Sequence, residues 1–384
     1  MKNNKLALAI AAALGTVAYL PASHAAGVTY KDGDKFITIG GRMQVQYYYL
    51  DPKKGPSTDK VFFRRLRPYI SGSLYPNWMG KFQWDMGGAT GDNEISVKDA
   101  YIQYSGFKNA KISIGNVVFP FSREFVTSSK FQQFVEREFV GDSKYGTPEW
   151  NMGIHAKGSS ASKKVTWGAA LAEASIDPNT SRIDFDTPAN KQKDFNQGWM
   201  VGGRVDFHPL GNLKFSQGDF KREQKATIGI AAYTWSNDGD VKNNDPGASP
   251  PVNSDVDSVN GYEISGAYRN IGISIDAQYN RFDAKLKDGT VTEGLFKNGE
   301  TALTNWMIKG GYMIMPSTLE LVAGYARQDA DNYKETWNRA TLGANWYIHQ
   351  HNLKYQLTYR QNKNKDGTKG KDENELYLQA QFVF

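Results

Sequence analysis

The 384-residue sequence predicts an all-β fold, a sixteen-stranded antiparallel transmembrane β-barrel with a long pore-constricting loop. Three observations lead there. Apolar and polar residues alternate with period two from end to end, with almost no helical periodicity. Aromatics are abundant, with 20 Phe, 21 Tyr and 9 Trp, yet mean hydropathy is −0.58. Connections between the alternating segments run long and short in turn. In hydrocarbon every backbone donor and acceptor must be paired, so a sheet has to close on itself. One face of each strand then meets lipid and the other water, which keeps the average hydropathy low.

The first 25 residues read as a signal peptide rather than part of the fold. Lys2 and Lys5 form a positive head, Leu6 to Leu20 an apolar run, and Ser23-His24-Ala25 a small-x-small cleavage pattern. The run is too short and Ala-rich for a spanning helix. Residues 26–384 are then one exported barrel domain. Cysteine is absent, which excludes disulfides and thiol chemistry. The net charge of +6 is dispersed along the chain, unlike the concentrated basic face of a nucleic-acid binder.

Sixteen segments carry the alternation: 36–50, 61–75, 80–87, 95–105, 111–118, 149–157, 164–173, 198–208, 225–235, 259–269, 271–282, 304–315, 317–328, 337–348, 352–361 and 374–384. In the first, Ile37, Ile39, Met43, Val45, Tyr47 and Tyr49 oppose Thr38, Arg42, Gln44 and Gln46. Trp306, Ile308, Tyr312 and Ile314 oppose Lys309, and Leu342, Ala344 and Trp346 oppose Arg339, Thr341 and Asn345. The last segment sets Leu376, Leu378, Ala380, Phe382 and Phe384 against Tyr377, Gln379 and Gln381. Outer loops fall at 51–60, 88–94, 119–148, 174–197, 236–258, 283–303, 329–336 and 362–373, with short inner turns between. Only 209–223 is long where a short turn is expected. Arg64 and Lys98 fall on lipid-facing parity, a cost of ~2–4 kcal/mol at mid-membrane. They are expected to snorkel to the head groups. Pro68, lacking a donor, calls for a bulge.

Inward parity gives the bases Arg42, Arg65, Arg67, Lys81, Lys157, Arg204, Arg269, Lys309, Arg339, Lys354 and Arg360. It gives the acids Asp85, Asp99, Asp206, Glu263, Asp276 and Glu320. A positive excess in a narrow, low-dielectric pore concentrates anions. The competing possibility is that wall charges pair with each other and only wet the lumen. Phe63-Arg64-Arg65-Leu66-Arg67 is richer in Arg than solubility requires, and guanidinium forks match oxyanions. In 119–148 a helix is predicted over Ser122–Glu138, which would align Arg123, Lys130 and Arg137 on one face. Phe121, Phe125, Val135 and Phe139 would pack that loop against the wall; the alternative is an ordinary surface loop. The candidate pore-lining residues are therefore Arg42, Arg65, Arg67, Lys81, Asp99, Arg123, Lys130 and Arg137. Of His155, His208, His349 and His351, the last two lie at an inner turn with no acidic or Ser motif near in sequence, and no enzyme and no cofactor are expected. Asp32-Gly33-Asp34 and Asn237-Asp238-Gly239-Asp240 lack calcium-loop spacing and read as turns, so no metal is expected either.

The motifs also resemble a known family. FFRRLRPYISGSLYPNWMGKFQWDMGG (62–88), VKDAYIQY (97–104), PFSREFVTSSKFQQFVERE (120–138), NGYEISGAYR (260–269) and ATLGANWYIHQHNLKYQLTY (340–359) are similar to the phosphate-selective porin O and P family. The resemblance covers nearly all of the mature chain. It implies a sixteen-stranded homotrimeric porin, destined for the outer membrane of a Gram-negative cell, in which a ladder of Arg and Lys guides phosphate or other small anions. On matching positions it points to Arg65, Arg67, Asp99, Arg123 and Lys130. Where members often carry a lysine before the Pro of the loop motif, this chain reads Asn116-Val117-Val118-Phe119. A general porin, or one specific for another solute, is the alternative. Expected partners are small phosphate-like anions, outer-membrane lipid and lipopolysaccharide, and the barrel assembly machinery through the terminal Phe384.

Overall fold

The computed structural model describes residues 27–88, 95–177, 179–187, 189, 197–238 and 255–384, so the proposed signal peptide lies outside it. Sixteen strands close an antiparallel barrel. They are β2 (Lys35–Pro52), β3 (Thr58–Tyr75), β4 (Trp78–Asp85), β5 (Ser96–Phe107), β6 (Ala110–Val118), β7 (Trp150–Ser159) and β8 (Val165–Asp177). The rest are β10 (Gln197–Phe207), β11 (Lys225–Asn237), β12 (Val256–Asn270), β13 (Ile273–Leu286), β14 (Glu300–Met315), β15 (Leu319–Asp329), β16 (Trp337–His349), β17 (Leu353–Lys363) and β18 (Glu373–Val383). Each corresponds to one predicted segment. Two short strands, β1 (Val28–Asp32) and β9 (Asp184–Asp186), pair with the ends of β2 and β8.

Closure is made where β18 pairs with β2, from Glu373 opposite Pro52 to Val383 opposite Arg42. Phe384 extends the seam by exchanging backbone hydrogen bonds with Gly41 at 2.8 and 3.0 Å. Beyond it β1 takes up the free edge of β2. The outward face is apolar: Ile228, Ile230, Ile264, Ile275, Ile308, Leu321 and Leu342 are all exposed there.

Two irregularities overturn the lipid-facing placement of Arg64 and Lys98. Gln44 pairs with Arg65 and Val45 with Phe63, so Arg64 is the extra residue of a β-bulge. Its side chain turns onto Glu136 of the long loop, with Nε to Oε1 at 2.5 Å. A second register shift, between Phe82 and Trp84, accompanies Lys98, which is buried with Nζ 4.9 Å from the Trp150 ring centre. The bulge expected at Pro68 lies at Arg64 instead. The β3–β4 ladder ends at Tyr69, and beyond Pro68 the Asp85 carboxylate accepts the Leu66 N–H at 3.1 Å.

Segment 119–149 enters the lumen, but it does not form the helix predicted over 122–138. Only Arg123–Val126 is α-helical, capped by Ser122, whose Oγ accepts the Phe125 N–H. Thr127 is extended, and Ser129–Phe131 and Phe139–Gly141 are short 3-10 turns. Side chains of the wall take the backbone groups a helix would have satisfied: Gln278 accepts the Glu124 N–H and Thr358 the Val135 N–H. Small wall residues let the loop approach. A Cβ on Gly324 would lie 2.9 Å from the Phe134 ring, and one on Gly311 would collide with Gln133.

The inner face is polar only in part. Near the outer end of β8–β16, Ala172, Met200, Tyr233, Trp235, Phe282, Leu303 and Ala326 are buried. They pack with Phe119, Phe121, Phe139, Ile183, Phe185 and Phe296 from the loops. Here the expected wet lumen is replaced by a dry core, because loops long enough to fold inward bring apolar side chains that gain by leaving water.

From the opposite end, the long inner turn 208–224 also folds inward. Gln217 and Asp219 are buried, and Asp219 accepts the Gly272 N–H at 2.8 Å. Open space therefore remains mainly beside β2–β7.

Candidate functional site

A cavity of about 440 Å³ lies between the loop tip and that open wall. Arg42, Arg67, Lys81, Lys130 and Arg137 line it, with Asp99 as its one carboxylate. Arg42 and Arg67 face each other directly across β2 and β3. Like charges opposed on one sheet face are destabilising. Such a local conflict is characteristic of sites kept for function.

Partners divide these bases into two groups. Arg67 is held by Asp85, Nε to Oδ2 at 2.6 Å, and Lys81 by Asp99 at 2.5 Å. Arg42 donates to Ser128 Oγ at 2.9 Å. Arg137 donates to the carbonyls of Glu124, Phe125 and Thr127 and lies 4.6 Å from the Phe125 ring centre. Among the described residues, no carboxylate comes within ion-pair distance of Arg42, Lys130 or Arg137. Burial, reinforced by the nearby Arg42 and Lys81, brings the Lys130 ammonium down to about 8. It is charged at neutral pH and loses its proton just above.

Trp150, unmarked in the sequence reading, organises this wall. Its Nε1 donates to Asp99 Oδ1 at 2.9 Å, while Arg67 and Lys98 lie over its ring. Ser128 and Ser129 also reach the cavity. The aromatic-cation pairing was hidden because Trp150 opens β7, beyond the long loop and distant in sequence from its partners.

The remaining two candidates lie elsewhere. Arg65 donates to Gln44 Oε1 at 3.0 Å and comes within 3.7 Å of Glu136. Burial alone would raise the Glu136 carboxyl, but Arg64 and Arg65 hold it at about 2. Arg123 is buried between Asp206 and Asp276, at 3.8 and 3.6 Å, with its guanidinium over Phe215. A broken helix thus sends Arg123 to the opposite wall, while Lys130 and Arg137 reach the cavity.

A second cavity, of about 870 Å³, shares Lys81, Asp99, Val118 and Val126 with the first and opens among the inner turns. Lys108, Lys111, Lys157, Lys163, His155 and His208 line it. The two cavities adjoin on one side of the barrel, and charged side chains line both.

A closed sixteen-stranded barrel with an apolar outer band and charged inner cavities defines an outer-membrane channel of the porin class. Residues 37–211 and 306–384 match the family model "Phosphate-selective porin O and P", and the chain belongs to that family. Porin O of Pseudomonas aeruginosa is 27% identical over 190 residues, which are 48% of this chain and 41% of that protein. Among solved structures, an anion-selective porin from Comamonas acidovorans superposes with a TM-score of 0.62 at 12% identity, covering 91% of this chain and 100% of that one. The trimer form of OmpT from Vibrio cholerae superposes at 0.57 with 13% identity, covering 91% and 99%. At these identities the superpositions speak for the fold. The family and fold place the chain in the outer membrane of a Gram-negative bacterium.

Proposed function

We propose that this porin passes small anions by passive diffusion, with no chemical step, and that the cavity at the loop tip is where they are selected. One observation carries the reading: Arg42, Lys130 and Arg137 converge on open space with no carboxylate of the described residues in ion-pair range, beside Arg67 and Lys81. An oxyanion entering the cavity meets guanidinium forks on two sides and an ammonium on a third, which suits phosphate and its short polymers. Because the bases continue into the second cavity, the ion can leave by exchange between neighbouring sites rather than full dissociation. The names of Porin O's family and of the Comamonas channel support anion transport, and the OmpT trimer supports a homotrimer.

A second reading, an anion channel without preference for phosphate, is favoured by Phe119. It fills the position before Pro120 and is fully buried in the dry core, so no base is presented there. The reading of 1–25 as a signal peptide, contact of the outer band with lipid and lipopolysaccharide, and recognition of Phe384 by the assembly machinery belong to the same proposal.

The test is reversal potential in planar bilayers under a chloride gradient, followed by phosphate titration of the chloride current. Anion preference with phosphate block supports the full reading; anion preference without block supports the second. Replacing Arg42, Lys130 and Arg137 together by Gln should abolish the preference. A cation-preferring parent channel would end both readings.

A further inference from the structure

We propose that Gln217, on the long inner turn, is a positioning residue that latches the constriction loop from the periplasmic side. The proposal rests on the channel reading above. Every polar atom of Gln217 is engaged. Its N–H donates to Phe131 O at 3.1 Å and its Oε1 accepts the Gln133 N–H at 2.8 Å. Its Nε2 donates to Glu124 Oε2 at 2.9 Å, and its carbonyl lies 2.8 Å from His351 Nε2. Three of these bonds go to the constriction loop, on both sides of Lys130. The fourth ties the turn to the neighbouring inner turn between β16 and β17.

The turn is itself fixed. Arg269 donates to Ser216 O at 3.0 Å, and Phe220 packs edge-on against Tyr347 and His351. The loop tip has little regular structure of its own, only one helical turn and two 3-10 turns. Its shape is therefore imposed by what surrounds it. Gln217 supplies the constraint from below, while Lys309 binds Glu124 from the wall at 2.7 Å. Removing its two side-chain bonds loosens Glu124 and Gln133, which flank Lys130 on either side, and lets that stretch move in the pore on the timescale of loop motions.

The experiment uses single-channel recording on the full-length channel. Gln217→Met keeps the side-chain volume and deletes both side-chain bonds. Gln217→Glu keeps the acceptor for Gln133 but sets a carboxylate against Glu124. The other charged groups around the position include Lys309, Glu320, Arg269, His351, Lys354, Lys130 and Asp219. At neutral pH both variants should show noisier open-channel current and a partial loss of ion preference, with the barrel's resistance to heat unfolding unchanged. As pH falls toward about 5, the carboxyl so introduced takes up a proton, its pKa raised above the usual ~4.3 by Glu124. It then donates to Glu124 as the amide did, and the current quietens, whereas the Gln217→Met current stays noisy. A structural role without latching gives no such acid rescue. Parent-like noise in both variants at neutral pH overturns the proposal, and so does noise in Gln217→Glu that persists on acidification. A parent channel without anion preference would sink the anion reading while leaving this noise signature readable.

Discussion

The two sides of the lumen carry the same kinds of residue and use them oppositely. On the β8–β17 side most inward bases meet an acid, Lys354 excepted, which donates to the Gln132 carbonyl at 2.8 Å. Arg204 binds Asp206 and Glu263, Arg269 binds Asp276, Lys309 binds Glu124, and Arg339 and Arg360 share Glu138. On the β2–β7 side Arg42, Lys130 and Arg137 meet none among the described residues. The first set stitches the inward loop to the wall around a dry core. Buried pairs of this kind cost desolvation energy, so their value lies in fixing register more than in stabilising the fold. The second set stays beside water and shapes the field that an ion feels. An excess of inward positive charge therefore does not locate the pore; the pattern of pairing does.

The sharpest way to break the contrast is to unpair a base on the stitched side. Glu124→Ala leaves Lys309 buried without its partner, a loss of about 3–5 kcal/mol in loop anchoring. It also removes the acceptor for Gln217. Large, irregular conductance with lowered heat resistance is expected, and Glu124→Gln should lose less because it still accepts hydrogen bonds. A quiet channel with unchanged selectivity in Glu124→Ala would show that the stitching does not hold the constriction.

Much of this architecture was legible before any coordinates. Period-two alternation located all sixteen barrel strands because hydrocarbon enforces it residue by residue. Arg42, Arg67 and Lys81 point inward as the same parity rule has them, since each sits on a regular stretch of strand. Parity failed at Arg64 and Lys98, where one extra residue reverses the side and nothing local announces it. It also failed to separate wet from dry wall, because Met200 or Phe282 reads as inward whether it meets water or a folded loop. The seven-residue spacing of Arg123, Lys130 and Arg137 suggested a helix, but tertiary bonds from Gln278, Thr358 and Gln217 gave the backbone other partners. The long inner turn at 209–223 stood out as the one misfit in connection length, and its inward course is the physical reason.

A gentler test adds to the open side. Asp99→Asn removes the counter-ion of Lys81 while keeping an acceptor for Trp150 Nε1. One charge at 4 Å in water amounts to ~1 kcal/mol, so anion preference should rise roughly twofold to fivefold. The gain should shrink between 0.1 and 1 M salt, as the screening length falls from about 10 to about 3 Å. A fall in anion preference would mean that Asp99 acts by holding Lys81 in place rather than by opposing its charge.

The smallest effect needs no substitution. Burial, with Arg42 and Lys81 close by, holds Lys130 at about 8, so its charge is present below that pH and lost above it. Anion preference should decline over about one pH unit on either side of that value, then level off because the guanidinium groups remain charged. Lys130→Arg should remove the decline and keep the high value throughout. Lys130→Gln should also remove it, but at the low value the parent reaches in alkali. A parent preference that stays flat across the interval would place Lys130 outside the field of the conducted ion, leaving Arg42 and Arg137 to set the preference.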